Sequence, residues 1–136
     1  MPAHFHALVW IDHQVAKVFH FNAEANETAL VRSSHPHQHL HHKANSGDSG
    51  HAPVDKEFFQ RVTAEISQAG AILITGPSTA KVELHTYIEK LHPQIAAKIS
   101  AVETLDHPTD GELLAFGRKF FRADDRMHLQ VPARTG

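Results

Sequence analysis

The stretch AILITGPSTAKVEL, residues 71–84, contains an apolar run, a turn and the start of a helical pattern in direct succession. Residues 71–75 have the length of a strand and no polar alternation until Thr75, which is typical of a strand covered on both faces of a sheet. A Gly-Pro-Ser turn follows, and apolar residues then recur at helical spacing until Pro93, at Leu84, Tyr87, Ile88 and Leu91. A buried strand leading into a helix predicts an α/β layer.

Three further strands are predicted before residues 71–84. FHALVWI at 5–11 and VAKVFHF at 15–21 are rich in β-branched and aromatic residues, and their close spacing indicates an antiparallel hairpin. TALVRSS at 28–34 is the third. A helix is then predicted from Val54 to about Gly70, with one apolar face formed by Phe58, Phe59, Val62 and Ile66.

The pattern continues after Pro93 with a short helical turn at 94–98 and the strand ISAVETL at 99–105. We expect this strand and 71–75 to be central and buried. Thr109 and Glu112 have capping-box spacing and predict a helix after Pro108, with apolar residues at Leu113, Phe116 and Phe120. The fold class is therefore a mixed α/β sheet of about five strands, three antiparallel and then strands alternating with helices, with helices packed on it.

The composition bounds the number of domains and excludes some kinds of site. With 136 residues, of which 41% are hydrophobic, we expect one domain. There is no cysteine, which excludes disulfides and thiolate metal sites. The first apolar run is far shorter than the roughly 20 residues of a membrane span, so we expect a cytoplasmic protein without membrane contact. The net charge of −2 depends on 14 neutral histidines, and it therefore says little about nucleic acid binding.

The most unusual composition is in SSHPHQHLHHKANSGDSGH, residues 33–51. One interpretation is a zinc or nickel site, because alternate residues of an extended chain share a face and neutral imidazoles are good ligands for these metals. Such a site would use His35, His37, His39 and His41. Since a run of histidines in a loop lacks fixed ligands, we would expect weak, exchangeable binding.

The second interpretation of the same stretch is RNA contact. Imidazoles, a lysine and the backbone amides of a Gly/Ser loop all serve to contact phosphates and bases, and the residues concerned are His37, His39, His41, His42 and Lys43. The third interpretation is a solvated polar loop. We prefer RNA contact, with no required cofactor.

Two other groups of residues suggest binding of an anion or of a metal ion. Lys81 follows the turn at a helix N-terminus, where anions are favoured. The Gly-Lys-Ser/Thr ending of a nucleotide-binding loop is absent, and Ser78 or Thr79 is more simply an N-cap.

The carboxylates of Asp12, Asp106 and Asp110 suggest a metal-dependent nuclease. A hairpin turn at Asp12 and helix support by Asp110 are the favoured roles.

Three motifs carry a family resemblance: VWIDHQVAKVFHF, ILITGPSTAKVEL and VETLDHPTDGELLAF. Together they resemble the central domain of the archaeo-eukaryotic release factor and Pelota superfamily, and are similar to short bacterial proteins described only as translational machinery proteins. The resemblance covers about residues 5–121 and is most specific at 76–84. It implies a ribonuclease-H-like domain over 1–121 with a His-rich loop at 35–53, leaving 122–136 as a C-terminal tail.

In release factors of this superfamily, the loop after the third strand carries a Gly-Gly-Gln tripeptide that reaches the peptidyl-transferase centre. The corresponding stretch here has Gly47 and Gly50 but no Gly-Gly-Gln. The resemblance therefore implies a non-catalytic protein that associates with ribosomes or RNA, with Lys81 as a further RNA contact beside the histidine loop.

Overall fold

The computed structural model describes residues 6–22, 25–33 and 55–135, with side chains as far as residue 122. The elements in chain order are β1 His6–Ile11, β2 Val15–Phe21, β3 Asn26–Arg32, α1 Lys56–Ile66, β4 Ala71–Gly76, α2 Ala80–Leu91, α3 Pro93–Ala96, β5 Ile99–Thr104 and α4 Asp110–Thr135. Within these ranges, no helix has the length and apolar character needed to cross a membrane.

The five strands form one sheet in the order β3-β2-β1-β4-β5. The first three strands are antiparallel neighbours, as the hairpin spacing predicted, with Val9 opposite Val18. β4 and β5 are parallel to β1, because the chain crosses over through a helix before each of them. The mixed sheet of five strands confirms the predicted fold class.

Helices cover both faces of the sheet. Side chains alternate along β1, so Val9 and Ile11 face one side while Leu8 and Trp10 face the other. α1 and α2 pack on the first face through the apolar stripes predicted for them, including Phe58, Phe59, Val62, Ile66, Leu84 and Ile88. α4 packs on the second face, where its buried residues are Leu113 and Phe121.

The prediction that two strands are central and buried is right for one of them. β4 lies between β1 and β5, and Ile72, Leu73 and Ile74 are completely buried. The stretch 99–105 was wrongly predicted to be central: among the described strands β5 lies at the edge beside β4, and its residues are half-buried or exposed. The physical reason is that Ser100, Glu103 and Thr104 interrupt the apolar run, which therefore does not need cover on both faces.

Two boundaries and the burial of one residue also differ from the sequence prediction. β3 begins at Asn26 instead of residue 28, because its pairing with β2 continues to the end of that strand, where Asn26 lies opposite Phe21. In α2, Leu91 belongs to the predicted apolar stripe but is 58% exposed. α4 continues as a helix to Thr135, whereas the apolar periodicity ends at Phe120. The division into a domain and a C-terminal tail stays a prediction.

Candidate functional site at the carboxyl edge of the sheet

The strand directions bring four connections to one edge of the sheet. β1, β4 and β5 run parallel, and β3 has the same direction because two antiparallel steps separate it from β1. These four strands therefore end on the same side of the sheet, which we call the carboxyl edge. Their last residues are Ile11, Arg32, Gly76 and Thr104. In open α/β sheets, ligands bind outside the carboxyl ends of the strands. All candidate site residues that the structure describes lie near this edge.

Asp12 stabilises the turn between β1 and β2. Its Oδ1 accepts hydrogen bonds from the backbone N–H groups of Gln14 and Val15, both at 2.8 Å. The Asp12 amide in turn donates to the Val15 carbonyl at 3.0 Å. This is the hairpin-turn role favoured by the sequence, since aspartate readily bonds to backbone two or three residues further along.

Gly76 allows β4 to end directly against β1. A Cβ atom at this position would lie 2.2 Å from the Ile11 carbonyl oxygen, and the φ angle is +158°. Because backbone atoms of a central strand cannot move away, only glycine fits here. The predicted Gly-Pro-Ser turn therefore begins with a close approach of two backbones at the carboxyl edge.

Polar contacts at the start of α2 tie this turn to the β1–β2 hairpin. Thr79 occupies the N-cap position but makes no side-chain cap; its hydroxyl instead donates to Glu83 Oε2 at 3.2 Å. His13 Nε2 lies 3.0 Å from the other Glu83 oxygen. Lys81 is 8% exposed and its ammonium donates to the Ser78 carbonyl. The structure thus places Lys81 beneath the turn, and its contact with RNA stays a prediction.

Trp10 connects the end of β1 to the loop between β5 and α4. Its indole Nε1–H donates to the Asp106 carbonyl at 3.0 Å, and the His107 ring lies 5.4 Å from the indole ring centre to centre. His107 Nδ1 and Asp106 Oδ1 are 2.9 Å apart, with both side chains mostly exposed. The sequence analysis did not single out Trp10, although the indole N–H of a buried tryptophan usually has a partner.

The three aspartates suggested as a metal-dependent nuclease site, Asp12, Asp106 and Asp110, each make different hydrogen bonds. Asp110 Oδ1 accepts from Lys17 Nζ at 2.9 Å, and the Lys17 ammonium lies 5.7 Å from the centre of the Trp10 ring. Thr109 and Glu112 form the predicted capping box at the start of α4, with reciprocal bonds of 2.8 and 3.1 Å. In the part of the chain with described side chains, no three histidine or acidic side chains form a group able to hold a metal ion.

The histidine-rich segment itself, residues 34–54, lies outside the described residues, and with it His35, His37, His39, His41, His42 and Lys43. Its two flanking residues are described. The Ser33 hydroxyl donates to Asp55 Oδ2 at 2.6 Å, and the Ser33 amide donates to the Gln14 carbonyl at 2.8 Å. Ser33 and Asp55, which precede and follow the segment, therefore meet at the carboxyl edge.

Asp55 has a second role that the sequence analysis missed. Its Oδ1 accepts from the Phe58 amide at 3.0 Å and caps α1. An aspartate just before an apolar-periodic stretch is a recognised helix start signal, and as the N-cap it would have placed the first helical residue at Lys56, two residues after Val54. Nothing in the sequence indicates its contact with Ser33, because the two residues are joined only by the fold.

No protein-family model and no curated protein matches the sequence. Among solved structures, the fold is similar to Pelota from Archaeoglobus fulgidus, with a TM-score of 0.59 and 13% identity over 87% of this chain and 32% of that protein. Pelota from Thermoplasma acidophilum matches 78% of this chain and 29% of its own, with 14% identity and a TM-score of 0.56.

An archaeal translation termination factor is also similar, with a TM-score of 0.53 and 14% identity over 96% of this chain and 42% of that one. This chain thus spans less than half the length of each of these proteins. The predicted resemblance to the Pelota and release factor superfamily is confirmed at the level of the fold. At such low identity the likeness carries no assignment of activity.

Proposed function

We propose that this chain is a non-catalytic, cytoplasmic protein of translation that associates with ribosomes or RNA through its histidine-rich segment. The observation that carries this proposal is the fold, which is similar to part of Pelota and to part of an archaeal translation termination factor. A fold alone does not define a function, so the proposal also depends on the residues at the carboxyl edge.

The residues that flank 34–54 support the location of the contact. Ser33 and Asp55, on either side of the segment, are hydrogen-bonded to each other at the carboxyl edge. By the sequence resemblance, this is the position from which release factors extend their Gly-Gly-Gln loop. His37, His39, His41, His42 and Lys43 would contact phosphates and bases from there.

The same segment argues against peptide release. It contains glycine at 47 and 50, separated by Asp48 and Ser49, and no Gly-Gly-Gln sequence. We therefore propose binding without hydrolysis. Lys81 is largely buried beneath the turn at 76–79, and we propose that its positive charge favours RNA at this edge.

Sedimentation of the purified protein with ribosomes tests this proposal. Lowering the pH from about 7.5 to about 6 protonates imidazoles, so the bound fraction should rise, while added salt should lower it by counterion competition. A variant with His37, His39, His41 and His42 replaced by Gln should bind less and lose the pH dependence. Replacing His20, His85 and His92 by Gln removes three imidazoles away from the carboxyl edge and should leave the pH dependence in place.

Equal sedimentation of the parent and the first variant at both pH values would overturn the proposal. The zinc or nickel interpretation, with His35, His37, His39 and His41 as ligands, predicts the opposite response. Protons compete with metal for imidazole nitrogen, so metal affinity falls over the same pH interval. If a chelator abolishes sedimentation and acid weakens it, metal binding is the function of the segment.

A further inference from the structure

The described residues leave part of the second face of the sheet uncovered. α4 packs on β1, β2 and β4 through a cluster that contains Leu8, Trp10, Phe19, Phe21 and Leu73, and none of the described residues of β3 belongs to it. The face of β3 beside α4 is exposed. We call this uncovered surface, formed by β3, the adjoining part of β2 and the near flank of α4, the open half-face.

β3 presents a row of two polar residues, one leucine and one arginine on the open half-face. Its register with β2 places Leu30 opposite Lys17 and Arg32 opposite Val15, on the side of the sheet that α4 occupies. Leu30 is 51% exposed, and Asn26, Thr28 and Arg32 are exposed. The acidic residue of this strand, Glu27, alternates to the opposite face.

The flank of α4 that borders the open half-face is also basic. Asp110 lies beside Lys17, and helical spacing of four places Leu114, Arg118 and Arg122 along the same flank. Arg118 reaches toward the start of β3, where its Nη2 donates to the Ala25 carbonyl at 3.4 Å. Its Nε is buried and has no hydrogen-bond partner among the described residues. The guanidinium is therefore incompletely satisfied by the fold.

Cations outnumber anions on this surface. Lys17, Arg32, Arg118 and Arg122 carry positive charge, and Asp110 is the one acidic side chain that faces them from the described parts of β2, β3 and α4. Since the whole chain has a net charge of −2, this positive charge is local to the open half-face. Basic side chains along a strand and a parallel helix flank favour an extended polyanion.

We propose that the open half-face binds single-stranded RNA. A strand of seven residues extends about 20 Å at 3.3 Å per residue, which is long enough for several nucleotides. Arg32 and Arg118 stand toward opposite ends of that length and contact phosphates, while the exposed Leu30 between them contacts a base or ribose. An acidic peptide would satisfy the arginines but has no planar base to place on Leu30.

This inference rests on the proposed function and extends it from the histidine segment to a second, described surface. The test is binding of a fluorescent oligouridine of roughly twelve nucleotides, measured by anisotropy at several salt concentrations. We compare the parent protein with a variant in which Arg32, Arg118 and Arg122 are replaced by Gln. The matched control replaces Lys56, Lys90 and Lys98 by Gln, which removes the same charge from parts of the chain other than β2, β3 and α4.

The Arg variant should bind at least tenfold more weakly than the control variant. Each phosphate contact on a single strand contributes about 0.7 to the slope of log affinity against log salt, so losing three contacts should lower the slope by about 2. Should the Arg variant fail to fold, Arg32→Gln alone, at an exposed strand end, should lower the slope by about 0.7.

Three results would overturn the inference. The first is equal oligouridine affinity and salt slope in the Arg and control variants. The second is no oligouridine binding by the parent protein. The proposed function is tested independently of this result, by ribosome sedimentation. The third is equally tight binding of polyglutamate with the same dependence on the three arginines, which would assign the open half-face to an acidic peptide.

Discussion

The two faces of the sheet are covered to different extents. On one face, α1 and α2 form a continuous core that reaches from Val31 in β3 to Val102 in β5. On the other face, α4 covers the middle of the sheet, and β3 presents Leu30 and Arg32 to solvent. The sequence therefore builds a complete core on one side and a partly open surface on the other.

Helix width explains the difference. Five strands spaced at about 4.8 Å extend over roughly 19 Å, whereas one helix with its side chains is about 10 Å wide. Two helices can cover such a sheet and one cannot. The open half-face thus follows from α4 being the one helix on that side among the described residues, and the side chains of the open half-face are available for binding because the described core does not use them.

Replacing Leu73 by Asp should disrupt the packing of α4 on the second face. Of the three replacements, we expect this one to have the largest effect on stability. Leu73 is completely buried beneath α4, and an unpaired carboxylate there is very costly, so the variant should not fold. Leu30→Asp on the same face should change the free energy of unfolding by no more than about 0.5 kcal/mol. Thermal denaturation followed by circular dichroism compares the two; cooperative melting of Leu73→Asp would contradict the assignment of β4.

Replacing Gly76 by Ala should damage the central strands on which both faces depend. The added Cβ would meet the Ile11 carbonyl oxygen at 2.2 Å, and we expect a loss of about 2–4 kcal/mol in the free energy of unfolding. Gly111→Ala is the control, because a Cβ there has only ordinary contacts and alanine favours the helix by up to about 1 kcal/mol. Urea denaturation of both variants measures this, and similar stabilities would show that β1 can move away from residue 76.

Replacing Asp55 by Ala should loosen the cover of β3 on the first face, with the smallest effect of the three. The change removes the cap of α1 and the acceptor of the Ser33 hydroxyl, which together stabilise by about 1–2 kcal/mol. Glu57→Ala, an exposed change in the first turn of the same helix, should alter the free energy of unfolding by about 0.5 kcal/mol or less. Urea denaturation resolves this difference, and equal midpoints for the two variants would refute the role of Asp55.

Most elements of the fold could be predicted because local patterns determine them. The hairpin, β4 and α1 each have an apolar repeat that matches one type of element, and Thr109 with Glu112 marks the start of α4. β3 and β5 were predicted less well, since edge strands have few buried side chains and their position depends on pairing with a neighbour. The start of β3 at Asn26, for example, is set by its pairing with Phe21.

The candidate site was harder to predict than the fold. Asp12 is a local turn residue and was interpreted correctly, because its partners lie two and three residues away. The bond between Ser33 and Asp55 and the indole bond of Trp10 join residues that are distant in sequence, and no local pattern contains them. The open half-face depends on sheet order and on where α4 lies, which a residue pattern does not specify.

The last residue of β3 makes a contact that bears on aggregation. The Ser33 amide bonds inward to Gln14, so alternation turns the Arg32 carbonyl outward, where the Arg61 guanidinium donates to it at 2.6 Å. Edge strands are templates for pairing with other chains when their outward backbone groups stay unoccupied. By occupying this carbonyl with a charged side chain from α1, the protein disfavours strand-to-strand assembly at the very place where its sheet ends.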